Sequence, residues 1–90
     1  MKGPIFRLFI TGRTPRSEVA IANLKRFCED SLDGEYELEV IDVVDDPERA
    51  ESEHIIATPT LIREIPPPAL RIIGDLSDQD RVKDMLHGLW

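Results

Sequence analysis

Cysteine is nearly absent from this sequence, which contains Cys28 and no other. A lone cysteine cannot form an intrachain disulfide or supply the cysteine cluster of many zinc sites. Long apolar runs are also missing: the longest span only a few residues, whereas a helix that crosses a bilayer needs about 18 to 20. The N-terminal Met-Lys-Gly-Pro leads into no signal-peptide core. We therefore expect a cytoplasmic protein without a membrane segment.

Basic residues are few, since 11 Lys and Arg stand against 18 Asp and Glu, for a net charge of -7. A nucleic-acid binder normally concentrates bases on one face, so we expect no nucleic-acid partner. His54 and His87 lie far apart without ligand spacing, so we expect no metal site and no cofactor. The pair Asp45-Asp46 could do acid–base chemistry, but its position before Pro47 is explained by helix capping.

The composition of the chain predicts one folded domain that spans residues 1–90. Hydrophobic residues make up 41% and charged residues 32% of the chain, which is ordinary for a globular protein. Ninety residues are too few to form two domains, each with a core of its own. Twelve of the eighteen acids fall between Glu29 and Glu53, where Arg49 is the only base. We expect a strongly localised negative potential in that segment.

Hydrophobic periodicity and capping signals predict seven elements in the order βαβαββα. Thr14 before Pro15 and Asp46 before Pro47 are the predicted caps of the first two helices. The predicted strands cover residues 5–11, 35–44, 60–65 and 70–73, and the predicted helices cover 15–31, 47 to 52 or 54, and 77–89. The stripe expected along the first helix consists of Val19, Ala20, Ala22, Leu24, Phe27 and Cys28. Ser77, with Asp80 three residues later, predicts a capping-box-like start for the last helix, whose stripe is Val82, Met85, Leu86, Leu89 and Trp90.

Right-handed connections between parallel strands then predict a four-stranded sheet with helices on both faces. This α/β arrangement is thioredoxin-like, and a thioredoxin-like sheet is mixed and has the strand order 2-1-3-4. The segment Pro66-Pro67-Pro68 cannot belong to a helix interior and separates the third and fourth strands.

Several motifs together carry a resemblance to a known family. Ala57-Thr58-Pro59-Thr60-Leu61 resembles the cis-proline loop of thioredoxin-like proteins. The other motifs are Gly12-x-Thr14-Pro15, Val40-Ile41-Asp42-Val43, Asp46-Pro47, Pro66-Pro67-Pro68 and Arg71-Ile72-Ile73-Gly74-Asp75-Leu76-Ser77. With all of them, the chain resembles the KaiB family over essentially its whole length.

This resemblance implies a regulator that performs no chemistry. It implies docking on the ring-shaped KaiC ATPase and, in a circadian clock, recruitment or sequestration of further clock or signalling proteins. KaiB proteins also adopt a second, rearranged fold that self-associates, commonly as a tetramer, and the switch lies in the second half of the chain, here from near Glu51. An alternative is a thioredoxin-fold sensor module of a histidine-kinase system, although the short chain favours the free-standing regulator.

Partner-binding candidates follow from the predicted edge strand and from the resemblance. An edge strand could accept a partner strand while its acids select a basic surface, although edge charges also deter aggregation. The resemblance implies that the second strand and the first helix face KaiC. Family members often carry lysines where this chain has Glu39 and His54, so the docking surface is expected to be more acidic. Glu35, Glu37 and Glu39 alternate with apolar residues, so we expect them on the solvent-exposed face of that strand. The candidates are Glu35, Glu37, Glu39, Asp42 and His54.

Four further residues are candidates for a fold switch. The resemblance implies a cis bond before Pro59, and the isomerisation of Pro59, Pro67 or Pro68 could limit a switch. The tandem prolines could equally fix a turn and block edge pairing. Met85 stands where the family commonly has glycine, which costs a helix about 1 kcal/mol. Met85 is therefore expected to favour the thioredoxin-like fold over the rearranged one.

A thioredoxin-type oxidoreductase is the sharpest enzymatic alternative. Its chemistry needs a low-pKa thiolate at a helix N-terminus and a resolving cysteine. Residues 12–17 occupy that place without a cysteine, and Cys28 lies on the predicted apolar stripe, where we expect a buried structural thiol. The sequence therefore predicts a protein that is not an enzyme.

Overall fold

All seven predicted elements occur in the predicted order. The structure, a computed structural model, describes residues 3–32, 35–65 and 67–86. The strands are β1 (Ile5–Ile10), β2 (Glu37–Asp42), β3 (Thr60–Ile65) and β4 (Leu70–Ile73), and the helices are α1 (Pro15–Leu32), α2 (Pro47–Ser52) and α3 (Gln79–Leu86). The strands form one sheet of order β2-β1-β3-β4, as predicted. Because residues 79–86 are helical, this is the thioredoxin-like arrangement and not the rearranged alternative.

β1 lies inside the sheet, and its two partners run in opposite directions. It pairs in parallel with β2, where Leu8 is opposite Val40, and antiparallel with β3, where Leu8 is opposite Leu61. Both faces of β1 are covered, which explains its nearly continuous apolar sequence. β4 closes the other side of the sheet by antiparallel pairing with β3.

The larger core cluster lies between the sheet and the helices α1 and α3. Its buried members are Phe6, Leu8, Ile10, Ala20, Ile21, Leu24, Phe27, Cys28, Leu61, Ile72, Leu76 and Val82. The prediction for α1 was wrong at two positions, because Val19 is 45% exposed and Ala22 is also exposed. The buried stripe instead includes Ser17 and Ile21, which continue the three-to-four spacing of Ala20, Leu24 and Cys28.

The smaller core cluster lies on the opposite face of the sheet and consists of the buried Phe9, Ile41 and Ile62. Val43 and Ile55 pack against it. The short helix α2 has no buried residue. This face of the sheet is therefore stabilised by much less apolar burial than the face under α1 and α3.

Caps and turns explain where the elements begin and end. Thr14 caps α1, since its Oγ1 accepts a hydrogen bond from the Ser17 N–H (3.2 Å), and Asp46 caps α2 through the Arg49 N–H (3.3 Å). Both caps were predicted. β2 is shorter than predicted because the chain turns at Asp42, whose carbonyl oxygen accepts from the backbone N–H groups of residues 45 and 46.

The predicted cap of α3 was wrong by one residue. The Asp78 carboxylate, and not the Ser77 hydroxyl, accepts the hydrogen bond of the Arg81 N–H (3.1 Å), and the Asp78 carbonyl accepts from Val82. Ser77 instead donates its backbone N–H to the Asp75 carboxylate at 3.0 Å. Asp caps a helix as well as Ser does, and Ser77 belongs to the turn at Asp75 that precedes the helix. His87, Leu89 and Trp90 lie outside the described residues.

The proline-containing loops carry two cis peptide bonds. The Thr58–Pro59 bond is cis, as the resemblance implied, and the Pro67–Pro68 bond is also cis. The Arg63 guanidinium, buried in β3, donates a hydrogen bond of 2.8 Å to the Pro68 carbonyl and so links the turn to the strand before it.

Candidate docking surface

The acidic strand β2 forms one edge of the sheet. Glu37 and Glu39 are exposed on it, and Glu35 is exposed just before it. Leu38 and Val40 alternate with these acids and are partly buried against the larger cluster. The period of two in the sequence therefore places all three glutamates away from the larger core, as predicted.

Glu39 is not a free acid, because it belongs to a row of four charges that crosses three strands. Arg49 of α2 contacts both Glu39 carboxylate oxygens, at 2.6 Å and 3.0 Å. Arg7 of β1 contacts Glu39 at 3.2 Å and Glu64 of β3 at 2.8 Å. We call Arg49, Glu39, Arg7 and Glu64 the charge ladder.

The charge ladder changes the electrostatics of the β2 edge. Hydrogen bonds from Arg49 and, secondarily, from Arg7 lower the pKa of Glu39. The bond to Glu39 in turn raises the pKa of Arg49. Two arginines thus offset the charge of Glu39, so Glu39 adds less to the acidity of this edge than the sequence indicated.

Asp42 has a local structural role. Its Oδ1 accepts hydrogen bonds from the Gly12 N–H at 3.1 Å and the Val44 N–H at 2.9 Å. Gly12 has a φ of 68°, which favours glycine at this turn. Asp42 therefore joins the end of β2 to the turn between β1 and α1, whatever else it contacts.

His54 lies at the other end of α2 and is held from the opposite edge of the sheet. Arg71 of β4 donates to the backbone carbonyls of Glu53 and His54. It also lies 3.8 Å from the Glu53 carboxylate. Since Arg49 of α2 contacts Glu39 on β2, the segment from α2 to His54 is held by side-chain contacts to both edge strands. The structure groups the three glutamates with Asp42 on or beside β2, and it places His54 toward β4.

The position of a thioredoxin redox site is occupied by hydroxyl groups. The Thr14 hydroxyl lies 3.1 Å from that of Ser17, and the Thr11 hydroxyl lies 2.7 Å from that of Thr58, beside the cis bond to Pro59. Cys28 is fully buried in the larger cluster, as predicted, and its burial raises the pKa of its thiol to about 12. The residues around Pro59 thus lack a thiolate nucleophile.

Exposed aliphatic side chains precede and follow α2 in the chain. In the α2–β3 loop (residues 53–59), Ile56 is 89% exposed, and Val44, just after β2, is 67% exposed. Ile56 also lines a recess of about 210 Å³, together with Thr11, Val43, Ala50, Ile55, Ala57 and Thr58. This surface was not among the predicted sites, although two adjacent isoleucines before a cis-proline loop could have indicated it.

Other kinds of site have no support in the described part of the chain. Residues 3–32, 35–65 and 67–86 contain no group of three or more His, Cys, Asp or Glu side chains able to hold a metal ion. No helix within the same ranges is long and apolar enough to cross a membrane.

Comparison with known proteins decides the family. The family model of the KaiB domain matches residues 7–88, which is nearly the whole chain. The chain belongs to the KaiB family. "Circadian clock protein KaiB3" of Synechocystis sp. is 51% identical over 78 residues, which are 87% of this chain and 76% of that protein. "Circadian clock oscillator protein KaiB" of Rippkaea orientalis is 47% identical over 78 residues, covering 87% and 75%.

Solved structures agree with this assignment. The N-terminal domain of Synechococcus elongatus SasA is similar to this KaiB-family chain with a TM-score of 0.78 at 25% identity, covering 98% of this chain and 87% of that one. Mitochondrial thioredoxin 3 of Saccharomyces cerevisiae gives a TM-score of 0.76 at 14% identity, covering 99% and 81%. The second likeness concerns the fold alone, and it agrees with the thioredoxin-like sheet described above.

Sequence reasoning missed the arginines of this region. Arg7 interrupts an otherwise apolar strand, and Arg49 is the single base of an acidic segment, so each was visible as an exception. Their partners were not visible, because Arg7 and Glu39 lie 32 residues apart and Arg49 and Glu39 lie 10 apart.

Proposed function

We propose that this protein is a non-enzymatic, KaiB-like regulator that binds a KaiC-type ring ATPase in a circadian clock or a related stress-signalling pathway. Membership of the KaiB family supports the regulatory role. The relatives described above are named as circadian clock proteins, and the protein is inferred to work in the same way, through association with partner proteins.

The observation that carries the proposal is the exposed acidic edge at β2. Glu35 and Glu37 are exposed at the end of the sheet. An edge strand offers backbone hydrogen-bonding groups to a partner, and its charges select which partner approaches. The burial of Cys28 supports a binding role over thiol chemistry, because a thiol with a pKa of about 12 is almost wholly protonated at neutral pH.

A purified KaiC-type ATPase from the same organism, with ATP and without nucleotide, provides the direct test. Glu37→Lys is expected to weaken binding about tenfold, which corresponds to about 1.4 kcal/mol. Asp84→Lys is the matched control, since it makes the same charge change at an exposed position of α3 and should leave binding unchanged. Binding that Glu37→Lys leaves intact would mean that the edge charges serve only to deter aggregation.

A second candidate function is a sensor module of a histidine-kinase system. The similarity to the SasA N-terminal domain over 98% of this chain favours it. The mass of the native polypeptide separates the two candidates: a free-standing regulator of this length has a mass of 10.2 kDa, whereas a kinase-linked module would be detected at a much larger mass by an antibody against this domain.

A fold switch is a further part of the proposal. The second half of the chain, from near Glu51, is proposed to rearrange into a self-associating state, with Pro59, Pro67, Pro68 and Met85 as the switch candidates. Support comes from family membership and from the small apolar core beneath α2.

A further inference from the structure

We propose that the α2–β3 loop docks a protein segment that inserts one bulky apolar side chain and carries Lys or Arg beside it. This inference deepens the proposed function, on which it rests, by assigning the chemistry of the partner segment that meets the His54 end of α2. It concerns a surface different from the β2 edge.

The apolar half of the argument comes from exposure. Ile56, which lines the recess of about 210 Å³, is 89% exposed, and Val44, next in sequence to the lining residue Val43, is 67% exposed. Val43 and Ile55, which line this recess, also pack on the smaller cluster, so the recess floor is continuous with the core. Its size suits one large aliphatic or aromatic side chain. Burying Ile56 against such a side chain would remove from water the most exposed of the large apolar side chains described.

The basic half of the argument comes from charge. Asp45, Glu48 and Glu51 are exposed on and just before α2, the helix that contributes Ala50 to the recess. Between residues 42 and 58 the only Lys or Arg is Arg49, and both of its terminal nitrogens contact Glu39. Of the bases nearby in the fold, Arg71 is bound to Glu53 and to the carbonyl of His54. Arg13, which lines a recess with Asp45, contacts Glu18 at 3.5 Å. The rim therefore attracts a basic segment and repels an acidic one.

A synthetic peptide with leucine flanked by lysines is the probe, and amide NMR spectra of the labelled protein are the measurement. The largest shifts are expected at Val44, Ala50, Ile55, Ile56 and Ala57. Ile56→Ser should weaken peptide binding about tenfold or more, because it removes the apolar contact. The fold should tolerate the change, since Ile56 is almost fully exposed. Val19→Ser on α1 is the matched control and should have no effect.

Two further peptides test the two halves separately. Replacing the lysines by glutamates should abolish binding through charge, and replacing the leucine by serine should weaken it through lost burial. Equal binding of the lysine and glutamate peptides, or binding that is insensitive to Ile56→Ser, would overturn the proposal. Concentration-dependent dimerisation that Ile56→Ser removes would assign the loop to a second copy of the chain and would also overturn it.

Failure of this inference is distinguishable from failure of the proposed function. A KaiC-type ATPase that binds wild type and Ile56→Ser equally, with no peptide shifts at the loop, overturns this inference alone. A lysine–leucine peptide that binds the loop, with no ATPase binding under any nucleotide condition, overturns the proposed function alone.

Discussion

At the residue scale, Cys28 shows how position in the core determines chemistry. Its side chain is fully buried on α1, and burial, with a smaller contribution from Glu29, raises the thiol pKa from 9.0 to about 12. The apolar stripe of α1 was enough to predict this burial, because every third or fourth residue of an amphipathic helix meets the core. Burial of a neutral thiol needs no partner, so sequence periodicity sufficed here.

The raised pKa of Cys28 predicts a loss of stability at alkaline pH. The unfolded chain ionises its thiol near 9.0 while the folded protein keeps the proton up to about 12. The stabilising contribution is therefore complete below pH 9 and is lost as the pH rises toward 12. Urea unfolding of wild type and Cys28→Ala across that range measures it, since the variant should show a weaker decline above pH 9. Parallel curves would contradict the assignment.

Glu39 shows what residue-level reasoning could not predict. Alternation along β2 correctly placed Glu35, Glu37 and Glu39 on the exposed side, because the period of a strand is local information. The pairing of Glu39 with Arg7 and Arg49 depends on strand register and on the position of α2 over the sheet. The residues next to Glu39 in the sequence indicate neither. The predicted acidic face is therefore less negative at Glu39 than the sequence indicated.

At the element scale, α2 is attached to the sheet mainly by charged groups. It has no buried residue, and it is held at one end by Arg49 on Glu39 and at the other by Arg71 on Glu53 and His54. Surface ion pairs contribute only about 0.2 to 1 kcal/mol each and weaken in salt. The helix is therefore expected to open locally without unfolding the larger core.

Loosening this attachment should be measurable by hydrogen exchange. Arg71→Met is expected to speed amide exchange at residues 50–55 by up to about fivefold, which corresponds to about 1 kcal/mol. High salt should also speed amide exchange at residues 50–55 of the wild type, and it should speed this exchange less in the variant. Arg16→Met on the exposed surface of α1 is the control. Unchanged exchange at α2 together with faster exchange in β1 would show that Arg71 stabilises the whole domain instead.

The boundaries of the helices and strands also show what the sequence could and could not predict. Caps at Thr14 and Asp46 were predicted correctly because a capping side chain bonds within its own helix turn. The start of α3 was misplaced because Asp78, and not Ser77, caps it, and the end of β2 was misplaced because the chain turns at the Asp42 carbonyl. The sequence indicated where caps are possible, but not which of two adjacent candidates is used or where a strand ends in a turn.

At the scale of the whole molecule, the two faces of the sheet are stabilised unequally. The larger cluster has buried residues from α1, α3 and every strand except β2, whose Leu38 and Val40 pack against it, whereas the smaller one has three buried residues. Met85 packs against the larger cluster from α3. The thioredoxin-like fold thus depends on α3 remaining helical, and the sequence predicted this helix through its apolar stripe.

Substitution of Met85 tests whether a second fold lies close in free energy. Met85→Ala removes packing and keeps helix propensity, while Met85→Gly costs the helix about 1 kcal/mol more. That difference is about a fivefold change in the ratio of two folds. We expect a second set of amide resonances, and larger species in size-exclusion chromatography, for the glycine variant and not for the alanine control. A glycine variant that is merely less stable, with one set of resonances, would contradict a switch at α3.

The charge ladder also has a consequence for how this sequence can change over time. Arg7 contacts Glu39 and Glu64 together, and Glu39 is shared with Arg49. A sign reversal at any one of the four residues sets like charges side by side on neighbouring elements, which is unfavourable. Tolerated replacements are therefore expected to arrive in compensated sets, and these four positions should covary among descendants of this chain although they lie in four different elements.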